Sequence, residues 1–357
     1  MRRLLLTLGL VVIAGLAYRV LGQSARPRLL WPVSGRVVSP LVADGRWIGW
    51  LEEDDDACHL VIAPRGGGAH RTVLSRKGLS GLAMDGDYAF VAQTEAGPDK
   101  IGGALVQVAL PGGSTAKIAS LASVADEIIS SEGWLVWRST RGPALPGVRF
   151  VVAAVPLTVI HARRVEGGSL HVVAVVPCDD ISTVTEVDLL GVLSEEAYWL
   201  ERGNSARGLR TRVRRAPCEG GDPDTVVEEP GRRTAALESN TLGWTAPSLD
   251  AGEANAFASV KRLRIDESEP QVIADWLGPS AVVLLSQGRV YAQDSSGLWR
   301  LGSQRKDQRR LFSAPVGVRA VSAIGDQEFL VMRQQGRSAV AARPLTWWAR
   351  TKAAVSF

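Results

Sequence analysis

The chain of 357 residues has little of what most often carries chemistry or covalent ties: three cysteines, three methionines, four histidines and four tyrosines. Three cysteines cannot staple a disulfide-rich minidomain. His59, His70, His161 and His171 lack metal-ligand spacing. No serine sits in a Gly-x-Ser-x-Gly elbow, so the commonest hydrolase nucleophile has no local signature. Charge of one sign is also scarce, with 41 basic against 37 acidic residues and a net of +4. The basic residues are spread along the chain, which argues against a nucleic-acid partner, because such a protein gathers them on one face.

What is plentiful is glycine, 37 residues, and tryptophan, 11. Glycines scattered among short apolar runs are what a sheet protein with many tight turns requires. A 46% hydrophobic, 22% charged composition is that of a folded chain. Length alone suggests two or three domains, although a large all-β ring fills it as one.

The one long apolar run is at the start. Arg2 and Arg3 precede a stretch from Leu4 to Tyr18, followed by Arg19, Val20, Leu21 and Gly22. Two arginines ahead of such a stretch keep the amino terminus in the cytoplasm and send the rest across. The run suits a signal-peptide core, and with Arg19 snorkelling it extends to Leu21 as a short membrane helix. Residues 1–28 are therefore expected as an anchor or signal segment, with retention preferred to cleavage, and residues 4–21 as the part that meets lipid. No cysteine lies near residue 22, which excludes a lipoprotein anchor.

The rest of the chain repeats. Ser39-Pro40-Leu41-Val42-Ala43-Asp44-Gly45-Arg46-Trp47 returns as Ser80-Gly81-Leu82-Ala83-Met84-Asp85-Gly86-Asp87-Tyr88, keeping the serine, the leucine, the Asp-Gly pair and the aromatic. An Asp-Gly pair between apolar residues is a strong hairpin signal. The aromatic strand after that turn continues as Trp47 and Trp50, Tyr88 and Phe90, Trp134 and Trp137, Tyr198-Trp199, Trp244, Tyr291 and Phe329, a mean period of about 47 residues. A second marker alternates with it: Pro64-Arg65-Gly66-Gly67, Pro111-Gly112-Gly113, Gly167-Gly168 and Gly220-Gly221. Two hairpins per repeat make four strands, the unit of a propeller blade. The expected fold is all-β: about seven antiparallel four-stranded blades in one propeller domain over residues 29–357, preceded by one hydrophobic helix. The long gap between Trp137 and Trp199 is read as an insertion at Pro156–Glu166. Trp347 and Trp348 are expected to help close the ring.

The strands around Tyr198-Trp199-Leu200 and Gly243-Trp244-Thr245, with Leu82-Ala83-Met84-Asp85-Gly86 and the Pro-Gly-Gly turns, resemble the YWTD and TolB-type bacterial propellers. That resemblance implies a ring of six to eight blades acting as an interaction platform. No aspartate follows the tryptophan–threonine pair, so a calcium or receptor role does not transfer, and the signatures of WD40 repeats are absent.

Few residues invite a specific role. Arg210, Arg212 and Arg214 alternate on one strand and would point the same way, a cationic stripe for anionic lipid or an acidic partner, or a charged edge that blocks aggregation. Trp31 follows the apolar segment closely enough to mark a membrane interface. Cys178 and Cys218 border turns in neighbouring repeats and form a candidate disulfide pair. Glu52-Glu53-Asp54-Asp55-Asp56 lacks the glycine of a calcium loop and reads as a solvated turn. Glu195-Glu196 and Glu228-Glu229 are adjacent, which on a regular strand sends them to opposite faces. The reading is accordingly of a non-catalytic, membrane-anchored scaffold or accessory subunit outside the cytoplasm, partnered by lipid through residues 4–21 and by other membrane or periplasmic proteins, with no cofactor, metal or catalytic residue assigned. The alternative is an exported propeller enzyme, a polysaccharide or peptide hydrolase or lyase, with its site at the central channel. Carboxylates or histidines gathered at a channel mouth would favour that alternative.

Overall fold

A computed structural model describes residues 28–344, apart from short gaps in connections and three longer ones, 142–156, 178–185 and 248–256. The apolar segment 4–21, Cys178, Trp347 and Trp348 lie outside the described residues. Among the described residues there is no α-helix, and none long and apolar enough to cross a membrane.

The strands form seven antiparallel sheets. β1 (Arg28–Pro32) leaves its chain neighbours and joins the last sheet. The first sheet holds β2 (Arg36–Val37), β3 (Val42–Asp44), β4 (Trp47–Glu53), β5 (Cys58–Pro64) and β6 (Arg71–Arg76). The second holds β7 (Leu79–Asp85), β8 (Tyr88–Gly97), β9 (Lys100–Ala109) and β10 (Thr115–Leu121). The third holds β11 (Ala125–Ser131), β12 (Trp134–Arg141), β13 (Leu157–Arg164) and β14 (His171–Pro177). The fourth holds β15 (Glu186–Leu193), β16 (Glu196–Ser205), β17 (Gly208–Pro217) and β18 (Asp224–Pro230). The fifth holds β19 (Ala235–Glu238), β20 (Thr241–Pro247), β21 (Ala258–Arg264) and β22 (Gln271–Leu277). The sixth holds β23 (Val282–Ser286), β24 (Arg289–Asp294), β25 (Gly297–Leu301) and β26 (Arg309–Ser313). The seventh is β27 (Val318–Ile324), β28 (Gln327–Gln334) and β29 (Arg337–Pro344), completed by β1 on β29.

Each sheet packs on the next through its first strand, and the last touches the first through β29 and β2. The first strands run the same way round the ring, because equivalent positions meet: Ser80 Oγ donates to the Ala125 carbonyl, Ser131 Oγ to the Val192 carbonyl and Thr234 Oγ1 to the Ala281 carbonyl. One end of the channel therefore carries the starts of these strands and the other carries their hairpin turns. At the turn end an acidic side chain repeatedly takes a backbone N–H from the next sheet: Asp44 from Gly86, Glu132 from Ser194 at 2.7 Å, and Glu238 from Gly288 at 3.0 Å.

The recurring aromatics have a physical reason. Each group lies on the strand next to the innermost one of its sheet, and Trp50, Phe90, Trp134, Trp137, Tyr198, Trp199, Trp244 and Tyr291 are buried there. On β12, Trp134 and Val136 pack toward the fourth sheet with Leu189 and Trp199, while Leu135 and Trp137 pack toward the second with Phe90 and Leu105. Alternation thus fills two interfaces at once, and the strand reads as a continuous apolar run. The Pro111-Gly112-Gly113, Gly167-Gly168 and Gly220-Gly221 turns join third to fourth strands, and Pro64-Arg65 opens the connection from β5 to β6.

One expectation is corrected here. Leu157–Arg164 is not inserted material but β13, paired residue for residue with β12. Val159, Ile160 and Ala162 are buried; the extra length is at 142–156.

The Pro111-Gly112-Gly113 turn offers a clean test. Gly113 has φ of +78°, and a Cβ there would stand 2.6 Å from the Val73 carbonyl oxygen of the neighbouring sheet. Gly113→Ala is expected to cost at least roughly 1–2 kcal/mol from the left-handed backbone alone. Gly112→Ala, with nothing within 4 Å of the added carbon, is the neutral control; urea melts of the two variants compare them directly.

Candidate functional site at the strand-start end of the channel

The densest charged cluster among the inner strands sits where β11 and β15 begin. It is built by a β-bulge. The register of β11 against β12 shifts between Ala125 and Glu127. A bulge breaks the strict alternation of faces, and two consecutive carboxylates, Asp126 and Glu127, reach the same guanidinium on β12. Arg138 donates Nε and Nη2 to Asp126 at 3.1 and 2.9 Å, a bidentate fork. Its remaining nitrogen, Nη1, stands 3.8 Å from Glu127 and 3.7 Å from Asp188 on β15.

The row continues through the fourth sheet. Arg202 of β16 reaches Asp188, and Glu186 at 3.4 Å, while its Nε donates to the Arg233 carbonyl at 2.8 Å. Arg232 donates to Glu186 at 2.7 Å. Four carboxylates and three arginines thus alternate across the third and fourth sheets and the connection from β18 to β19.

Glu127 is the unusual member. Its Oε2 accepts the Leu189 backbone N–H at 3.0 Å, and its side chain is 30% exposed. Burial, chiefly, pushes its carboxyl up to about 7; the Leu189 N–H and Arg138 oppose the rise, and Asp188 and Asp126 add to it. A carboxyl near neutrality can both give and take a proton under physiological conditions.

The residues singled out in the sequence lie elsewhere. Arg210 and Arg212 both reach Glu228, and Arg214 lies 3.5 Å from Glu201 and donates to the Pro223 carbonyl. They remain on one strand, β17, but each has a carboxylate beside it, so no uncompensated cationic stripe results. Trp31 is 2% exposed, its ring 5.9 Å from that of Trp50 and its Nε1 donating to the Gly68 carbonyl at 2.7 Å. It packs inside the ring closure and not at a surface that could meet a membrane. Cys218 follows β17 in full burial, which pushes its thiol up to about 12. The adjoining Gly220 abuts Val172, at the opposite end of β14 from Pro177; Cys178, its expected partner, is outside the described residues. Glu195 and Glu196 pair with Arg164 and Arg215, and Glu229 pairs with Lys261. His59 bonds Asp54 at the acidic turn. Among the described residues no group of three or more His, Cys, Asp or Glu is placed to hold a metal ion.

Two hydroxyl–imidazole pairs are formed among the described residues: Ser75 Oγ with His59 Nδ1, on β6 and β5 of the first sheet, where Nε2 of the same ring meets Asp54 at 2.7 Å, and Ser139 Oγ with His161 Nε2 at 3.2 Å, with that imidazole stacked on Trp137. Ser139 is 3% exposed and faces the packed interface between sheets. A hydroxyl so placed is not offered to a substrate.

The ring of consecutive four-stranded sheets, packed through first strands and closed by β1, decides the architecture. The fold is that of a β-propeller. No protein-family model matches the sequence, and no curated protein matches it. Among solved structures the chain is similar to oligogalacturonate lyase from Vibrio parahaemolyticus, with TM-score 0.61 and 9% identity over 91% of this chain and 93% of that one. It is similar to the acylaminoacyl peptidase of Pyrococcus horikoshii, with TM-score 0.60 and 11% identity over 87% of this chain. It also resembles the β-propeller domain of the Trilobed protease from Pyrococcus furiosus, with TM-score 0.58 and 11% identity over 88% of this chain and 96% of that domain. The propeller spans about half the length of the acylaminoacyl peptidase, 52%. At this identity the likeness is one of fold. The expectation of a non-catalytic scaffold finds no support in these three neighbours, which are enzymes or parts of enzymes.

Proposed function

We propose that the chain is an exported, seven-bladed propeller enzyme that cleaves an anionic polysaccharide at the strand-start end of its channel, with Glu127 as the acid–base group. The observation that carries the reading is the cluster of Asp126, Glu127, Arg138 and Asp188, in which one carboxyl is poised near neutrality beside a second carboxyl and a shared guanidinium. Pairs of carboxyls in unequal surroundings are the equipment of acid–base cleavage.

Polysaccharide is preferred to peptide for two reasons. The propeller accounts for 93% of the oligogalacturonate lyase but only about half of the acylaminoacyl peptidase, so a ring by itself corresponds to a whole enzyme in the first case. Neither hydroxyl–imidazole pair among the described residues opens on the inner strands: Ser139–His161 is enclosed between sheets, and Ser75–His59–Asp54 stands on and beside β5 and β6, the outer strands of the first sheet. Arg138 and Arg202 are engaged by carboxylates, and Arg232, whose side chain is 67% exposed beside Glu186, is the arginine of the row open to a sugar carboxylate. In hydrolysis Glu127 would protonate the glycosidic oxygen as water adds at the anomeric carbon. In elimination it would take the proton from the carbon next to the sugar carboxylate, a carbon–carbon double bond would form as the bond to the glycosidic oxygen breaks, and the departing oxygen would take a proton from water, with Arg232 beside the developing charge. Export through the apolar segment 4–21 would bring the enzyme to such a substrate.

The test is to incubate the purified chain with a panel of polyuronates and neutral glucans and measure new reducing ends together with the ultraviolet absorbance of an unsaturated product. Cleavage confined to polyuronates is expected, and the absorbance separates elimination from hydrolysis. No cleavage of any member would sink the reading.

A further inference from the structure

We infer that Arg138 is the positioning residue of this site: forked on Asp126 and shared between Glu127 and Asp188, it holds its charge against Glu127 and sets how readily that carboxyl gives up its proton. The inference rests on the reading of Glu127 as the acid–base group and specifies how that group is tuned.

The geometry leaves Arg138 little freedom. Two of its nitrogens are spent on Asp126 at 3.1 and 2.9 Å, which fixes the guanidinium plane, and its side chain is only 20% exposed. The third nitrogen is then held nearly equidistant from carboxyls contributed by two different sheets, at 3.8 and 3.7 Å. The two carboxyls are not equivalent. Asp188 has a second guanidinium, Arg202, on its far side. Glu127 has only a backbone N–H, that of Leu189, as its other partner here. The charged groups that face Glu127 are Asp126 from its own strand, Arg138 from β12 and Asp188 from β15, with Arg202 of β16 behind Asp188. Among the described residues Arg138 is the cation that reaches Glu127, and its charge opposes the retention of the proton there. A lysine in place of Arg138 would keep the charge but lose the fork.

The inference predicts a shift of titration and not merely a loss of activity. In Arg138→Met the Glu127 carboxyl should titrate about one pH unit higher or more, the usual effect of removing an opposite charge at this distance. The shift is read in two ways: by carbon NMR of the whole chain labelled in its glutamate carboxyls, with Glu127→Gln assigning the signal, and by the midpoint of the pH profile of kcat/KM. Arg138→Lys should restore most of the midpoint. Where the methionine variant does not fold, Arg138→Gln, which keeps a donor for Asp126, takes its place. An unmoved Glu127 titration in a folded neutral variant would overturn the inference, since a purely structural arginine would lower the melting temperature and leave the midpoint alone. The NMR titration needs no substrate, so absence of cleavage by the wild type defeats the proposed activity while the tuning by Arg138 is still judged by its own signal.

Discussion

Glu127→Gln lowers kcat/KM on the cleaved polysaccharide by roughly 10²–10⁴-fold, the range set by loss of a general acid–base group. The substitution keeps the shape of the side chain and an oxygen to accept the Leu189 N–H, now 3.0 Å from Oε2. What it removes is the proton that can be exchanged. Its stability effect has a definite sign. The carboxyl is raised from 4.5 to about 7 in the fold, so the folded chain holds a proton that the unfolded chain has released between those values. Wild-type stability from this group is present below pH 4.5 and is lost as pH rises through about 7. The glutamine variant does not titrate, so its melting temperature should gain on that of the wild type across this window. An inactive variant that melts lower at every pH would assign Glu127 to structure; an active one would remove it from the mechanism.

The fold was more legible than the site, and the reason is the range over which each signal acts. Glycine turns and second-strand aromatics are local consequences of hairpin geometry and two-sided burial, repeated at each sheet. Tyr88, Trp134, Tyr198, Trp244, Tyr291 and Phe329 lie on second strands, and Trp47 on β4, which follows the short β2 and β3. The long gap between Trp137 and Trp199 draws the insertion onto Pro156–Glu166, whereas Leu157–Arg164 is a paired strand in which His161 stacks on Trp137 and Arg164 lies over the Trp134 ring. The charged cluster draws on strands far apart in sequence: Glu127 and the Leu189 N–H it accepts are 62 residues apart. The assumption that neighbouring carboxylates diverge holds on a regular strand and fails at the bulge before Glu127. A signal was available in the repeat, since Asp126-Glu127 and Glu186-Val187-Asp188 both open a first strand. The arginines of β17 drew notice because they alternate, but alternation also sets them opposite β18 and β16, where Glu228 and Glu201 stand ready to pair.

Trp199→Ala should be the most destabilising single change, costing about 3–5 kcal/mol and lowering Tm on the order of 10 °C. The indole is fully enclosed between the third and fourth sheets, packed with Trp134, Ile160, Val187 and Leu189. Its Nε1 donates to Glu201 at 2.7 Å. Truncation opens a cavity against two sheets at once, and neither can collapse into it without moving the first strand of the ring. Trp199→Phe refills most of that volume and gives up the indole donor, while Arg214 at 3.5 Å still faces Glu201, so its cost should be well under half that of alanine. The same pair of variants links the core to the site, because Leu189, which packs on the indole, also supplies the N–H that holds Glu127. The phenylalanine variant should therefore retain the Glu127 titration midpoint and the alanine variant should shift it, even at temperatures where both remain folded. Equal melting temperatures for wild type and alanine variant, measured by calorimetry, would contradict the two-sided burial of second strands on which the assignment of the repeat depends.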